Sequence, residues 1–329
     1  MATDPTFEVR ERAAGTAPNA AESAHFCSID EMQAATEAEG WEAQYNQIQS
    51  GRLKVSTYSR DYSDLSLMDE TADRCIELVG QTPAGCISLL APCAGTEIWV
   101  NGRTLHSEQI VLLNPGASLQ CLTRENTQVL SMHIPIAALD ETGSELLNYC
   151  LQRTGNHTAA IDIGGIAGRS LRRMMRLALY APIAERWAPE RTAELTRELV
   201  QYCRNTTGRI DDDRCRLQPL ASARTIARAR DYIESHLDQA MPMSNVCAHA
   251  AVSLSKLERT FMKELGLTPH AYICARRLAA VRHELQNTSP EQRRVADAAM
   301  DYGFNHLGRF AGVYRQQFGE LPSETLRAR

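Results

Sequence analysis

Between Ser253 and Gly266, Leu257, Phe261 and Leu265 recur every four residues, so they fall on one stripe of a helix and leave Ser255, Lys256, Glu258, Arg259, Met262 and Lys263 on its other faces. That polar set suits hydrogen-bond recognition of flat or anionic partners. A guanidinium such as that of Arg259 can donate two parallel hydrogen bonds to guanine O6 and N7, and a carboxylate such as that of Glu258 can accept from a cytosine amine. Lys256, Lys263 and the Ser253 hydroxyl are suited to phosphate. A solvated helix face that only positions a domain carries the same residue types, so both readings stay open. Further on, Asn305, His306, Leu307, Gly308 and Arg309 form a second candidate face, followed by Ala311, Gly312 and Arg315. Leu307 could touch a thymine methyl, and Arg309 and Arg315 could pair with phosphate. Gly308 and Gly312 would let backbone approach closely, although each weakens a helix by ~1 kcal/mol relative to alanine. A helix that merely docks is the competing reading.

The two faces occupy equivalent places in an internal repeat. At an offset of 52, Cys247–Val252 aligns with Ala299–Phe304. After one inserted residue, Leu257 falls on Phe310, Phe261 on Tyr314, Leu265 on Phe318, Gly266 on Gly319 and Pro269 on Pro322. Each copy reads as a small-residue helix, a tight turn and a second helix that stops at glycine, which is a helix-turn-helix built twice. The punctuation predicts helices over 226–237 and 243–249, then one capped by Ser253 and closed by Gly266. Thr268-Pro269 opens a long helix to about Gln286 that joins the modules. Its length of roughly 30 Å approaches the ~34 Å of a DNA turn. Ser289-Pro290-Glu291 is expected to start the next helix, and Asn305 to cap the last. Ala251 stands where a turn of positive φ would strain it by roughly 1 kcal/mol.

Charge is unevenly placed. Residues 222–329 hold 15 Lys/Arg against 11 Asp/Glu, whereas residues 1–221 hold 20 against 29. The mildly basic end coincides with the repeat, and the acidic remainder would be repelled by phosphate. Residues 1–24 are charged and lack an apolar core, so they read as a disordered arm and not as a signal peptide. No apolar run is long enough to span a bilayer. The ten cysteines show neither C-x-x-C nor zinc-finger spacing, which fits reduced thiols in a cytoplasmic protein; a redox role among Cys75, Cys86, Cys93 and Cys121 is the alternative.

Within 44–136, short and partly alternating segments at 53–58, 74–79, 86–91, 97–100, 109–113, 118–122 and 129–134 predict strands of a sandwich or barrel. Asn101-Gly102 signals a two-residue hairpin and Asn114-Pro115-Gly116 another turn. Amphipathic helices follow at 141–153, 166–183 and 192–204, and 205–221 reads as a linker. The fold class is α+β: domains at 25–204 and 222–329, with the arm before and the linker between.

Residues 222–329 resemble the DNA-binding domain of the AraC/XylS family of bacterial transcription regulators. The carrying residues are Val252-Ser253, Leu257, Phe261, Gly266 and Pro269, then Tyr272, Arg277-Leu278 and Leu285. Tyr302-Gly303-Phe304, Phe310, Tyr314, Phe318-Gly319 and Pro322 complete them. The resemblance implies base contacts at Ser255, Glu258 and Arg259; in the second module the residues themselves offer Asn305, His306, Leu307 and Gly308 as base contacts. The resemblance also implies a cupin-like N-terminal barrel, a small-molecule effector and contact with RNA polymerase. This chain departs from the pattern at the Leu/Gly/Ala face of the second reading helix and at Ala251.

Two further expectations concern the N-terminal half. Its helices carry enough apolar stripe to pair two copies of the chain, with Leu171, Met174, Met175, Leu195 and Leu199 as candidates; packing within one chain is the alternative. A cupin-type enzyme would need a metal cluster, and only His106 and His133 are present in the strand region, without a His-x-His pair. No nucleotide-binding or nucleophile motif is found, so neither catalysis nor a cofactor is expected. A regulator that needs no effector remains the other alternative.

Overall fold

The computed structural model describes residues 21–38, 42–62, 65–107, 109–139, 160–163, 165–180 and 221–327, with Glu141 and Ser144. Twelve antiparallel strands lie among them. One sheet holds β1 (Ala21–Phe26), β3 (Val55–Asp61), β4 (Ser66–Ala72), β6 (Cys86–Pro92), β9 (Ile110–Leu113), β11 (Thr127–Pro135) and β12 (Ala160–Ile163) in the order β1-β3-β4-β11-β6-β9-β12. The other holds β2 (Glu42–Gln47), β5 (Ile76–Gln81), β7 (Glu97–Val100), β8 (Arg103–His106) and β10 (Ser118–Thr123) in the order β2-β5-β10-β7-β8. Both sheets are open, with no ladder joining their edges among the described residues, so of the two strand arrangements expected the sandwich stands, and not the cupin-like barrel that the resemblance implies.

Four layers explain the strand sequences. Helix α2 (Gly165–Leu179) packs Leu171, Met175, Ala178 and Leu179 on the outer face of the larger sheet, against Leu67, Leu89, Leu112, Leu130 and Met132. The opposite face of that sheet meets the smaller one through Leu90, Val111, Ile98 and Leu119. The smaller sheet turns Trp99 and Leu122 outward onto the C-terminal domain. Inner strands are therefore covered on both faces, and β9 (Ile-Val-Leu-Leu) is buried at every position without alternation. Helix α1 (Ile29–Ala38) lies beside β2, with Gln33 Nε2 donating to Ala43 O at 2.6 Å. The Asn101-Gly102 hairpin has positive φ at both positions, 45° and 96°, as its turn type requires.

The C-terminal domain contains α3 (Ala221–Glu234), α4 (Met243–Ala250), α5 (Leu254–Leu265), α6 (Pro269–Gln286), α7 (Val295–Asp301), α8 (Leu307–Phe318) and α9 (Pro322–Arg327). Its first module closes around Ile226, Val246, Leu257, Phe261 and Tyr272. The second closes around Leu278, Val281, Ala298, Phe310 and Tyr314. No helix among the described residues is long and apolar enough to cross a membrane.

Several expectations need correction. Residues 21–24 belong to β1, whose polar side chains concealed a strand that is held by backbone pairing with β3. Residues 1–20, the helix expected at 192–204, the linker at 205–220, and Leu195 and Leu199 lie outside the described residues, as does the helix expected at 141–153 apart from Glu141 and Ser144. Ser289-Pro290-Glu291 forms a turn closed by Gln292 N on Ser289 O at 3.0 Å, and α7 starts later, at Val295. The N-cap of α8 is His306, not Asn305, and its side chain makes no capping bond. Leu171 and Met175 are fully buried in the core of their own chain, which removes them from any surface between copies.

Candidate nucleic-acid interface

Helix α5 is framed by local chemistry. The Ser253 hydroxyl accepts from Lys256 N at 3.4 Å, and Gly266 ends the helix with φ 76°. Leu257 and Phe261 are fully buried, and Phe261 meets the Tyr272 ring edge-on at 5.8 Å. With that stripe fixed, Ser255, Lys256, Glu258, Arg259 and Lys263 are all exposed, as is Met262 at 51%. Arg259 and Glu258 sit half-way along the helix. Lys263 is drawn to Glu264 at 3.5 Å but keeps most of its side chain in solvent.

The turn before α5 is strained. Ala251 adopts φ 54°, ψ 42°, with its N–H on Ala248 O and Val252 N–H on Cys247 O, both at 3.1 Å. The equivalent residue of the second module, Gly303, takes φ 82°, and the same two bonds recur there at 2.9 Å. The first turn copies the second without its glycine, at a cost of ~1–2 kcal/mol.

Helix α8 buries Phe310 and Tyr314, and the Tyr314 hydroxyl lies 2.9 Å from Thr325 Oγ1. Asn305, His306, Leu307, Gly308, Arg309 and Arg315 are exposed. A Cβ added at Gly308 or Gly312 would meet nothing within 4 Å, so packing inside the protein does not demand glycine at either. Between the modules, Arg277 on α6 donates to Gln239 O at 2.5 Å and covers Gly303, where a Cβ would come within 2.9 Å of its Nη1. The strain expected at Ala251 is present, whereas the covering arginine has no signal in residue periodicity.

The N-terminal elements contact the helix-turn-helix modules at residues outside these faces. Glu77, 1% exposed, accepts from the Tyr272 hydroxyl at 3.1 and 3.2 Å and lies 3.1 Å from Arg230 Nε. Burial and the neighbouring carboxylate push the Tyr272 phenol well above its ordinary range. Arg282 on α6 is shared between Asp30 at 2.7 Å and Glu320 at 2.5 Å.

A cavity of about 110 Å³ lies between the sheets, lined by Ile76, Leu78, Leu119, Met68, Glu70 and His133 among others. Strand alternation links it to the C-terminal domain, because Ile76 and Leu78 face the cavity while Glu77 between them faces Tyr272. His133 sits 3.0 Å from Ser88 Oγ, and burial lowers its pKa to about 4. His106 lies on the outside, 3.3 Å from Glu97. No group of three metal-ligating side chains occurs among the described residues. Burial pushes the Cys75 and Cys121 thiols up to about 12 and also raises Cys86 and Cys93, which opposes the thiolate that redox chemistry needs.

Comparison with known proteins agrees with the repeat. A family model described as a helix-turn-helix domain matches residues 246–328. The "XylDLEGF operon transcriptional activator 3" of Pseudomonas putida is 42% identical over 102 residues, covering 31% of this chain and 31% of the relative. The "Probable thc operon regulatory protein" of Rhodococcus erythropolis is 38% identical over 118 residues, covering 35% and 36%. The match thus spans about a third of each relative's length. Among solved structures, the AraC-like transcriptional activator CuxR aligns with 78% of this chain and 94% of its own, at 9% identity and a TM-score of 0.44. With the double module in place and the sequence match running along it, residues 246–328 are a helix-turn-helix domain, and this third of the chain is similar to the corresponding part of operon transcriptional activators of the AraC/XylS type.

Proposed function

We propose that this chain is a sequence-specific regulator of transcription, acting as an activator at promoter DNA. One observation carries the reading. Both reading helices bury their apolar stripes and turn their polar faces to solvent, while the N-terminal domain contacts the last turn of each. Ser255, Glu258 and Arg259 read base edges, and Asn305, His306, Leu307 and Gly308 make a less polar second contact. Ser253, Lys256, Lys263, Arg309 and Arg315 face phosphate. On duplex DNA recovered by the full chain from a randomised pool, log K should fall with log salt at a slope of at least about −4. Arg259→Ala should cost ~1–3 kcal/mol on that duplex and relax preference at one base pair. Retention of full affinity by this variant, or a slope near zero, would overturn the assignment.

The cavity supports a small-molecule effector, since it is mostly apolar with a few convergent polar groups and shares β5 with the DNA-binding domain. Thermal shift of the full chain against a metabolite library tests this; no stabilising compound would favour the effector-independent reading. RNA polymerase is the partner that activation requires, in the cytoplasm. A homodimer is proposed because two tethered domains gain avidity on a double site. Its surface must avoid Leu171 and Met175; on α2 the outer side remains, where Leu177 is 61% exposed, and Leu195 and Leu199 stay candidates. Sedimentation should show a dimer at micromolar concentration that Leu177→Glu weakens. A monomer, with and without DNA, would refute pairing.

A further inference from the structure

The repeat offset of 53 makes Glu264 and Gln317 equivalent residues, each the last but one of its reading helix. The N-terminal domain binds the backbone carbonyl of both. Arg124 Nη2 donates to Glu264 O at 2.9 Å. Gln47 Nε2 donates to Gln317 O at 2.9 Å, and Gly51 N reaches the same oxygen at 3.2 Å. Gln317 Nε2 returns the bond to Gln47 O at 2.8 Å. The two closing glycines are covered alike: a Cβ on Gly266 would sit 2.6 Å from Arg124 Nη1, and one on Gly319 would sit 3.5 Å from Arg52 Cβ.

These carbonyls are natural handles. The last turn of a helix leaves its C=O groups without intrahelical partners, and they carry the negative end of the helix dipole. They also lie at the end opposite the first turns, which face bases, so a grip here leaves the reading surface open. Leverage is greatest from this end. In a helix of 12 residues, about 18 Å long, a tilt of ~10° about the C-terminus carries the first turn ~3 Å, nearly one base-pair step.

We propose that the N-terminal domain is a brace that sets the spacing and tilt of the two reading helices relative to each other, by holding the equivalent carbonyl in each. The proposal rests on the DNA-binding reading and adds to it a role for the N-terminal domain in site geometry. The pair Asp30–Arg282 steadies the α6 rod between the two grips. The brace makes spacing discrimination a property of the whole chain and not of the helix-turn-helix modules alone.

The test uses the full chain and the duplex it recovers from a randomised pool, remade with one base pair inserted or removed between the two halves of its footprint. The unmodified chain should bind the shifted duplexes about tenfold or more weakly. Arg124→Ala and Gln47→Ala should each bind the parent duplex within a few-fold of the unmodified chain. Their penalty on the shifted duplexes should shrink to about two- to threefold. Gln47 is buried, so if its variant fails to fold by circular dichroism, Arg124→Ala, at the less buried grip, carries the test. A spacing penalty that is unchanged in every folded variant overturns the brace alone. A chain that recovers no duplex overturns the DNA reading and the brace with it.

Discussion

Replacing Glu77 with alanine is expected to destabilise the chain more than any substitution on the reading faces. Its carboxylate is the shared acceptor for the Tyr272 hydroxyl and a neighbour of Arg230, whose Nε also donates to Tyr272 Oη at 2.8 Å. All three groups are buried where β5 meets the first module. Removing the anion strands a guanidinium that has lost its water and its counter-charge, a loss worth ~3–5 kcal/mol. Urea unfolding should show this as a lower midpoint. Trp99 packs in the same interface cluster, 2% exposed, so its fluorescence in a chain with Trp41 and Trp187 replaced by Phe should shift to the red before the domains unfold. Glu77→Leu combined with Arg230→Met and Tyr272→Phe should recover much of the loss, because an apolar triad leaves no charge stranded. A cost below ~1 kcal/mol for Glu77→Ala would mean that water reaches Arg230 and that the contact does not fasten the domains.

The C-terminal domain was legible because its signals are local and stated twice. Ser253, Gly266, Thr268-Pro269 and Gly319 each act within a single turn, and the structure has each in its expected role. Asn305 has a capping residue type, but the register that aligns Leu257 with Phe310 also aligns Ser253 with His306, which takes the cap position. Ser289-Pro290 has a cap's chemistry, but Arg293 just after it is drawn to Glu284 and Asp301, and the turn is not continued into a helix. The N-terminal half was harder to read, since a sheet covered on both faces loses its alternation, and β1 and β4 are too polar to look like strands. An apolar stripe such as that of Leu171 and Met175 says that something covers it, not whether the cover is a sheet of the same chain or a second copy. Grips such as Arg124 on Glu264 O join residues 140 apart and have no pattern at all.

His133 gives the largest expected pH effect. It lies on β11 facing the cavity beside Glu70 from β4 and Cys121 from β10, and burial holds its pKa near 4, against 6.5 for a free imidazole. The folded state therefore resists a proton that the unfolded chain accepts. Stability from the neutral ring is fully present above pH 6.5 and is lost as pH falls toward 4, by up to ~3 kcal/mol. Carboxylates titrate near the end of the same window, so the informative quantity is the difference between this chain and His133→Gln across it. That difference should move against the native chain by ~1–3 kcal/mol from pH 7 to pH 4. A flat difference would show that the imidazole is hydrated in the folded state. The same logic bears on the cavity as an effector site. A ligand that brings an anionic group against His133 would favour the imidazolium, so its binding should take up a proton near pH 6 and strengthen as pH falls. A neutral ligand should bind with no proton uptake, so calorimetry in buffers of different ionisation enthalpy would separate the two and report which kind of molecule the cavity accepts.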